Sequence, residues 1–426
     1  MNPRLLIQLA SMLAVSAEAA SCASARSSGA ASARADSARV RRDIEYLASD
    51  ALAGRGTGTA GNDSAAAFAA RRYKALGLQA LSPGYLQPFT ARSAMVAHGT
   101  AAEQRTQNVV AYLRGTDPAL RGQVIVLGAH IDHLGRSPTG ALDPEMGDAI
   151  RNGADDNASG TAAVLELARL FAAHPTRRSM LFVNFSGEEL GLLGSQYFVE
   201  HAPLPIDSTV AMLNFDMVGR LRGDSVIVYG LSTAREMPAV LDSANARIGL
   251  IIRGIGDGFG PSDHSSFYAR NLPVLHFFTN IHADYHRATD DADKINAAGA
   301  AKVISLAERV VREIDARDQR LTFVRAAAPP VAGARTGSNV YLGSIPDMAA
   351  PDVQGLRLTG VRPGSPADSA GIQAGDIVVE LGGRAVTDLQ TYSDALYSYK
   401  PGDEVVIVVL RGTQRKQLKV KLGRRG

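Results

Sequence analysis

The stretch QVIVLGAHIDH (residues 123–133) joins an almost unbroken apolar run to two histidines and an aspartate. Apolar runs of this kind are typical of strands that helices cover on both faces. Similar runs recur at 107–115, 179–187, 210–219 and 272–278. Amphipathic helical patterns lie at 158–173 and 301–316. The alternation predicts an α/β fold with a mostly parallel sheet flanked by helices, in which ligands bind beyond the carboxyl ends of the strands.

The composition of the 426-residue chain is that of a globular protein. Hydrophobic residues make up 46% of the chain and charged residues 20%, and the formal net charge is only +3. A charge so close to neutral gives no basic surface of the kind that nucleic-acid binding needs. We therefore expect no nucleic-acid partner, and the function has to be inferred from individual sites.

The N-terminus has the order of an export signal. Arg4 precedes an apolar run at 5–17, which small residues follow. We assign 1–24 to a signal peptide and 25–37, rich in Ala, Ser and Arg, to a disordered spacer. The chain is then exported to the periplasm or the extracellular space. Cys22, the one cysteine, allows no intramolecular disulfide, and it would give a membrane anchor only if it were lipidated.

The composition changes again at 325–338, a run rich in Ala, Pro and Gly. We interpret 321–338 as a linker between a domain at 38–320 and a second one at 339–426. The second domain has short strand patterns and one helical pattern near 389–398. It is predicted to be small and mostly β.

Residues that can bind metal lie just after the apolar strands or at the start of a helix. They are His130 and Asp132 in GAHIDH, Asp155 and Asp156 in NGADDNASG, Glu188 and Glu189 in NFSGEELGLLGS, Asp216 in NFDMVG, and His286 in YHRATDD. Five such groups are difficult to explain as solvated turns, and they predict a metal site at the carboxyl edge of the sheet.

Imidazole nitrogens and carboxylate oxygens are the ligands of catalytic zinc, which keeps an open position for water. Carboxylates outnumber histidines here, and that suits two cations about 3.5–4 Å apart with a carboxylate bridging them. A carboxylate that is not a ligand can take a proton from the water and deliver it to the leaving amine. One member of the Glu188–Glu189 pair can therefore be a ligand and the other a base.

The motifs GAHIDH, GADDNASG, GEELGLLGS, NFDMVG and YHRATDD stand in the order, and at about the spacing, of the co-catalytic zinc aminopeptidases typified by secreted bacterial leucyl aminopeptidases. The stretch LASDALAGRGTGTAGND (47–63) also resembles the N-terminal segment of that family. The resemblance covers about 38–320. It implies a zinc exopeptidase fold, two zinc ions per chain and peptide substrates.

The resemblance also implies a role for each residue. Five ligands are implied, with His130 and Asp216 on one zinc, Glu189 and His286 on the other, and Asp156 bridging both. Glu188 would be the general base, and Asp132 would orient the ring of His130 through a hydrogen bond.

Other polar residues near the motifs are expected to have different roles. Asp155 is not expected to be a ligand, and a role as a helix N-cap explains it as well. His276 is expected to be a buried residue of the core. His282 could mimic a ligand, but the residues around His286 favour the latter. His133 is given no role. Asp263 and His264 are expected to be structural or to face the substrate.

One position departs from the family pattern. The leucyl aminopeptidases have a tyrosine, thought to support the oxyanion, where this chain has Phe259. If no other residue replaces that donor, the rate falls by about 10²–10³.

The segment 360–392 resembles a PDZ domain of the bacterial protease-associated type. This implies a peptide partner whose C-terminal carboxylate binds backbone amides. The corresponding loop would be 341–344, with Ser344 where an apolar residue is usual. The alternative is a domain that only docks or stabilises.

The sequence therefore predicts an exported, zinc-dependent aminopeptidase that hydrolyses N-terminal residues from peptides. The alternatives are a single-zinc glutaminyl cyclase, a carboxypeptidase-type activity on the same fold, and a non-catalytic protein that binds peptides through its PDZ domain.

Overall fold

The computed structural model describes residues 34–92, 103–256, 258, 260–325, 340–346, 354–361, 364–387 and 389–424. The predicted signal peptide, Cys22, most of the predicted linker and Phe259 lie outside the described residues.

The N-terminal part is built on one large mixed sheet. Its strands are β1 Gln79–Ala80, β2 Leu86–Arg92, β3 Glu103–Leu113, β4 Val124–His130, β5 Ser179–Phe185, β6 Thr209–Phe215, β7 Ser225–Tyr229, β8 Ile251–Ile255 and β9 Val274–Phe278. The strand order is β1-β3-β5-β4-β6-β9-β7-β8, with β2 paired to β3.

Helices flank this sheet. They are α1 Ser37–Leu47, α2 Ala60–Ala75, α3 Gly160–Ala173, α4 Leu193–Glu200, α5 Met237–Asn245, α6 His264–Tyr268 and α7 Ala297–Asp315. Side-chain caps begin several of them: Asp36 accepts hydrogen bonds from two amides at the start of α1, and Thr59 accepts one from Asn62 at the start of α2. In α7 the expected apolar face, which includes Val303 and Val310, is buried.

The predicted α/β sheet flanked by helices is confirmed, although the sheet is mixed. The central strands β5, β4, β6 and β9 run parallel. The flanking strands β3 and β7 join them antiparallel. Every residue of β4, β5 and β6 is buried, as expected for strands covered on both faces. Because these strands are parallel, their carboxyl ends meet at one edge of the sheet.

The C-terminal part is the small mostly-β unit that was predicted. Its elements are β10 Val340–Tyr341, β11 Ser344–Pro346, β12 Leu356–Val361, α8 Pro366–Ser369, β13 Ile377–Leu381, β14 Arg384–Ala385, α9 Leu389–Tyr397, β15 Glu404–Arg411, β16 Gln414–Lys421 and β17 Gly423–Arg424. The strand pairs are antiparallel. The buried residues of its core, among them Leu358, Val378 and Ile407, all come from the range 340–422.

Among the described residues, none of the helices combines the length and the apolar character that crossing a membrane requires.

Candidate metal centre

The candidate ligands converge at the carboxyl edge of the central strands. His130 is the last residue of β4, and Asp216 directly follows β6. The turn after β5 carries Glu188 and Glu189, and it begins at Gly187, whose φ of 78° favours glycine. Asp156 lies in the π-helical turn Ala154–Ser159 before α3, next to a cis peptide bond to the following residue. His286 lies in the loop after β9.

A first group of ligand atoms surrounds His130. Its Nε2 atom lies 3.2 Å from Oδ1 of Asp156 and 3.4 Å from Oδ1 of Asp216. Its Nδ1 atom lies 3.1 Å from the backbone carbonyl of Asp132, which can only accept a hydrogen bond. Nδ1 therefore carries a proton, and Nε2, which faces the two carboxylates, is the nitrogen placed to bind a metal.

A second group surrounds His286. Its Nε2 atom lies 3.1 Å from Oδ2 of Asp156 and 3.2 Å from Oε2 of Glu189. Its Nδ1 atom lies 3.0 Å from the carbonyl of Gly140, so this ring is held in the same way as that of His130. The two oxygens of Asp156 thus face two different histidines, as a bridging carboxylate must.

These residues fit zinc. Bonds of about 2.0–2.1 Å in a tetrahedral site place neighbouring ligand atoms about 3.3 Å apart. The four nitrogen–oxygen distances in the two groups range from 3.1 to 3.4 Å. In addition, Nε2 of His130 and Oδ1 of Asp216 are buried without a hydrogen-bond partner among the described residues. Buried polar atoms of this kind are unfavourable unless a ligand or an ion satisfies them.

The charges in the centre are strongly coupled. Burial alone would lower the pKa of His130, but the carboxylates of Asp216 and Glu188 outweigh it and hold the pKa well above its ordinary value. Burial likewise opposes the shift at Asp156, whose pKa the two histidines hold well below the ordinary value. Closely packed imidazole and carboxylate groups such as these can hold a cation.

Glu188 has a different environment. Its Oε2 atom is 4.0 Å from Nε2 of His130, farther away than either ligand oxygen of that group. Burial raises the pKa of Glu188 well above its ordinary value, and the charges of Glu189 and Asp216 add to the effect. A carboxylate that lies beside the ligands and has a raised proton affinity can accept a proton there.

Asp132 and His130 do share a hydrogen bond, and its acceptor is the backbone carbonyl of Asp132. The carboxylate oxygen Oδ1 is 3.8 Å from Nδ1 of His130, and the backbone carbonyl of Asp132 is the partner. The carboxylate instead accepts hydrogen bonds from Oγ1 of Thr57 and from the backbone N–H of Glu188. Asp132 therefore orients His130 with its backbone and supports the turn of Glu188 with its side chain.

Several other polar residues are placed away from the ligand positions. Asp155 is not an N-cap: it accepts a hydrogen bond from the amide of Gly219 and pairs with Nε2 of His282 at 3.1 Å. His276 is a buried core residue, as expected, and its ring stacks on that of His264. Asp263 is buried as well, and this burial raises its pKa to about 7.

Three residues that shape the centre were not predicted from the sequence. His133 lies 2.7 Å from Glu189. Asp290, in the motif YHRATDD, accepts hydrogen bonds from the amides of Asp155 and Asp156 and so holds that turn. Arg55 is fully buried and donates to the carbonyls of four residues, namely Leu47, Ile131, Asn152 and Gly153. The only signal in the sequence was that all three lie within the recognised motifs.

Family models match both parts of the chain. Residues 108–311 match the model of peptidase family M28, and residues 334–422 match that of the PDZ domain. The chain carries a peptidase family M28 domain. A PDZ domain follows it, as the sequence motifs indicated.

Individual relatives of the M28 domain include aminopeptidases. Aminopeptidase YwaD of Bacillus subtilis (strain 168) is 26% identical over 203 residues, which are 45% of this chain and 41% of that protein. Leupeptin-inactivating enzyme 1 of Streptomyces exfoliatus is 31% identical over 191 residues, 44% of this chain and 38% of that protein. The chain thus spans about two fifths of the length of these curated relatives.

Solved structures share the fold of the M28 domain. An aminopeptidase from Aneurinibacillus sp. strain AM-1 aligns with a TM-score of 0.54 at 18% identity. The alignment covers 69% of this chain and 97% of that protein's chain. A Zn-dependent exopeptidase from Parabacteroides distasonis has a TM-score of 0.55 at 18% identity and covers 67% of this chain and all of its own.

Proposed function

We propose that the M28 domain is a di-zinc aminopeptidase that removes N-terminal residues from peptides. The observation that carries the proposal is the position of Asp156, whose two oxygens face His130 and His286 at 3.2 and 3.1 Å. A carboxylate so placed suits two cations held side by side. The aminopeptidase names of the relatives support the reaction class.

Each zinc position takes its ligands from this chain. His130 and Asp216 would hold one ion, Glu189 and His286 would hold the other, and Asp156 would offer one oxygen to each. Two zinc ions bound here would lower the pKa of a water molecule and polarise the carbonyl of the substrate.

Glu188 is assigned the general base. Its carboxylate lies next to the first group of ligands without belonging to it, and its pKa is raised by burial. It takes the proton from the attacking water at Oε2 and delivers it to the leaving amine. The amide of Glu188 donates to Asp132, and this contact keeps the carboxylate at that position.

The carboxylates of the centre also suit a substrate with a free α-amine. Asp216 and Glu188 retain partial exposure, at 13% and 12% of their side-chain surface. A positively charged ammonium group that reaches them is stabilised, whereas a blocked N-terminus is not. We assign the preference for N-terminal residues to this charge.

The proposal is tested by metal analysis combined with an activity screen. We expect about two zinc ions per chain. We also expect chelator-sensitive release of 4-nitroaniline from leucine 4-nitroanilide, and none from its N-acetyl derivative. A single zinc with cyclisation of N-terminal glutamine would identify a glutaminyl cyclase instead. Release of C-terminal residues would identify a carboxypeptidase, and absence of all three activities a peptide-binding protein.

We extend the proposal to the rest of the chain. Residues 38–320 act as the peptidase, and 339–426, beyond a linker at 321–338, bind the C-terminus of a peptide in the groove of the PDZ domain. The chain is exported by the signal peptide at 1–24, with a spacer at 25–37. Mass spectrometry of the N-terminus of the exported protein distinguishes two outcomes. Removal of 1–24 also removes Cys22, whereas a lipidated Cys22 would be retained and would add the mass of its acyl chains.

A further inference from the structure

His133 lies beside the second group of ligands but does not contact it in the way that the other two histidines do. Its Nδ1 atom is 2.7 Å from Oε1 of Glu189 and 3.9 Å from Oδ2 of Asp156. The ring is buried, with 1% of the residue exposed. Because Glu189 turns its other oxygen, Oε2, toward His286, its two oxygens have different partners.

The distance distinguishes a hydrogen bond from a pair of metal ligands. A separation of 2.7 Å is ordinary for a hydrogen bond from N–H to a carboxylate. It is shorter than the edge of about 3.3 Å between two ligands of one zinc ion. A carboxylate oxygen only accepts, so Nδ1 of His133 carries the proton and has no lone pair for a metal.

The hydrogen bonds of the three histidines lead to the same conclusion. In His130 and His286 a backbone carbonyl binds Nδ1 and leaves Nε2 facing carboxylates. Histidine ligands of metals are usually held in this manner. In His133 the Nδ1 atom binds Glu189, and Nε2 is buried without a hydrogen-bond partner among the described residues.

We propose that His133 is a positioning residue for the second zinc position. It donates Nδ1–H to Oε1 of Glu189, so that Glu189 would offer only Oε2 to the metal. This inference rests on the proposed function, because it presupposes zinc held by Glu189 and His286.

The surroundings fix the ring of His133 in place. Gly153 has a φ of 57°, and a Cβ atom there would lie 2.5 Å from both Cγ and Cδ2 of His133. The backbone N–H of His133 donates to the carbonyl of Arg55. On the far side the ring meets His286 edge to face, with ring centres 5.7 Å apart. A ring held in this way can fix the orientation of a carboxylate.

The first test measures zinc retention by elemental analysis during a chelator titration of the full chain. We expect His133→Ala to lower the affinity for one of the two zinc ions by about 10- to 100-fold and to leave the affinity for the other unchanged. His133→Asn should restore most of that affinity, because the amide Nδ2 can donate from near the position of Nδ1. His286→Ala, which removes a ligand outright, is the matched control and should lose that zinc at the lowest chelator concentration.

The second test needs no variant. X-ray absorption of the wild-type di-zinc protein should count two imidazoles over two zinc ions, from His130 and His286. A count of three imidazoles would make His133 a ligand and overturn the inference. Two zinc ions in the wild type with unchanged affinity in His133→Ala would overturn this inference alone. Fewer than two zinc ions per chain in the wild-type protein would overturn the proposed function, and this inference with it.

Discussion

Glu188 and Glu189 are adjacent in the chain, yet their carboxylates face different histidines. Glu188 lies 4.0 Å from Nε2 of His130, and Glu189 lies 3.2 Å from Nε2 of His286. Burial would raise the pKa of both. At Glu189, however, the charges and hydrogen bonds of His286 and His133 lower the pKa to about 2, whereas the pKa of Glu188 stays well above its ordinary value. One residue thus favours a cation and the other favours a proton.

Replacing the proposed base should separate catalysis from metal binding. We expect Glu188→Gln to keep both zinc ions and to lose about 10²–10⁴ in kcat, because the amide cannot accept the proton. Elemental analysis and steady-state kinetics on the same preparation check this. Glu189→Gln is the matched control, and it should lose the zinc on the His286 side. If both variants keep full zinc and full activity, the two roles are wrongly assigned.

The bridging role of Asp156 predicts an unequal pair of variants. Asp156→Asn removes a charge shared by both groups and should weaken the binding of both zinc ions, whereas Asp216→Asn should weaken only one. The reason is that Asp156 faces His130 and His286, whereas Asp216 pairs with only His130 among the described histidines. Chelator titrations that record zinc per chain distinguish these results, and equal losses in the two variants would argue against a bridge.

The central strands were predictable from local sequence, and so was the position of the candidate ligands just after them. Fully buried parallel strands must be apolar throughout, so β4, β5 and β6 are evident as unbroken runs, and the ligands follow where those runs end. Of the strands beside this parallel core, β3 was predicted from its run at 107–115, whereas β7 and β8 were not. The edge strand β8 is largely exposed, and the burial that makes a strand recognisable is missing there.

Residues whose partners come from distant segments could not be assigned from sequence. His133 acts on Glu189, which is 56 positions away along the chain. Arg55 donates hydrogen bonds to carbonyls of residues as far as 98 positions away along the chain. The choice between Glu188 and Glu189 depended on the family resemblance, because adjacent carboxylates are chemically alike until their neighbours in the fold are known.

Arg55 should be essential for stability. Its guanidinium is fully buried and donates to the carbonyls of Leu47, Ile131, Asn152 and Gly153, which join the N-terminal segment to the loops that carry the ligands. Arg55→Met leaves these acceptors without donors, and we expect the free energy of unfolding to fall by about 3 kcal/mol or more. Urea unfolding followed by circular dichroism measures the loss.

A matched control for Arg55 is Lys302, whose ion pair with Asp224 is half exposed on both sides. Lys302→Met should change the free energy of unfolding by less than about 1 kcal/mol. Similar losses in the two variants would show that the carbonyl contacts of Arg55 contribute no more than a surface ion pair.

The PDZ domain contains an ion pair whose effect on stability should depend on pH. The two oxygens of Asp376 accept hydrogen bonds from Nε and Nη2 of Arg411, both at 2.7 Å, and the Asp376 side chain is buried. Burial opposes the shift, but the hydrogen bonds from Arg411 and from the amide of Gln373 hold the pKa of Asp376 below its ordinary value of 3.8.

A lowered pKa in the folded state stabilises the domain above pH 3.8, and this stabilisation is lost as the pH falls through the folded-state pKa. At neutral pH, Asp376→Asn should lower the free energy of unfolding by about 1–3 kcal/mol, because a buried charged partner is removed. The difference from the wild type should shrink at a pH well below 3.8.

The domain has its own core, so thermal unfolding of residues 339–426 alone at several pH values is a suitable measurement. Glu380→Gln, at the exposed pair with Arg415, is the control and should have little effect at any pH. A deficit in Asp376→Asn that stays constant down to the lowest pH would mean that packing, and not the charge of Asp376, accounts for the loss.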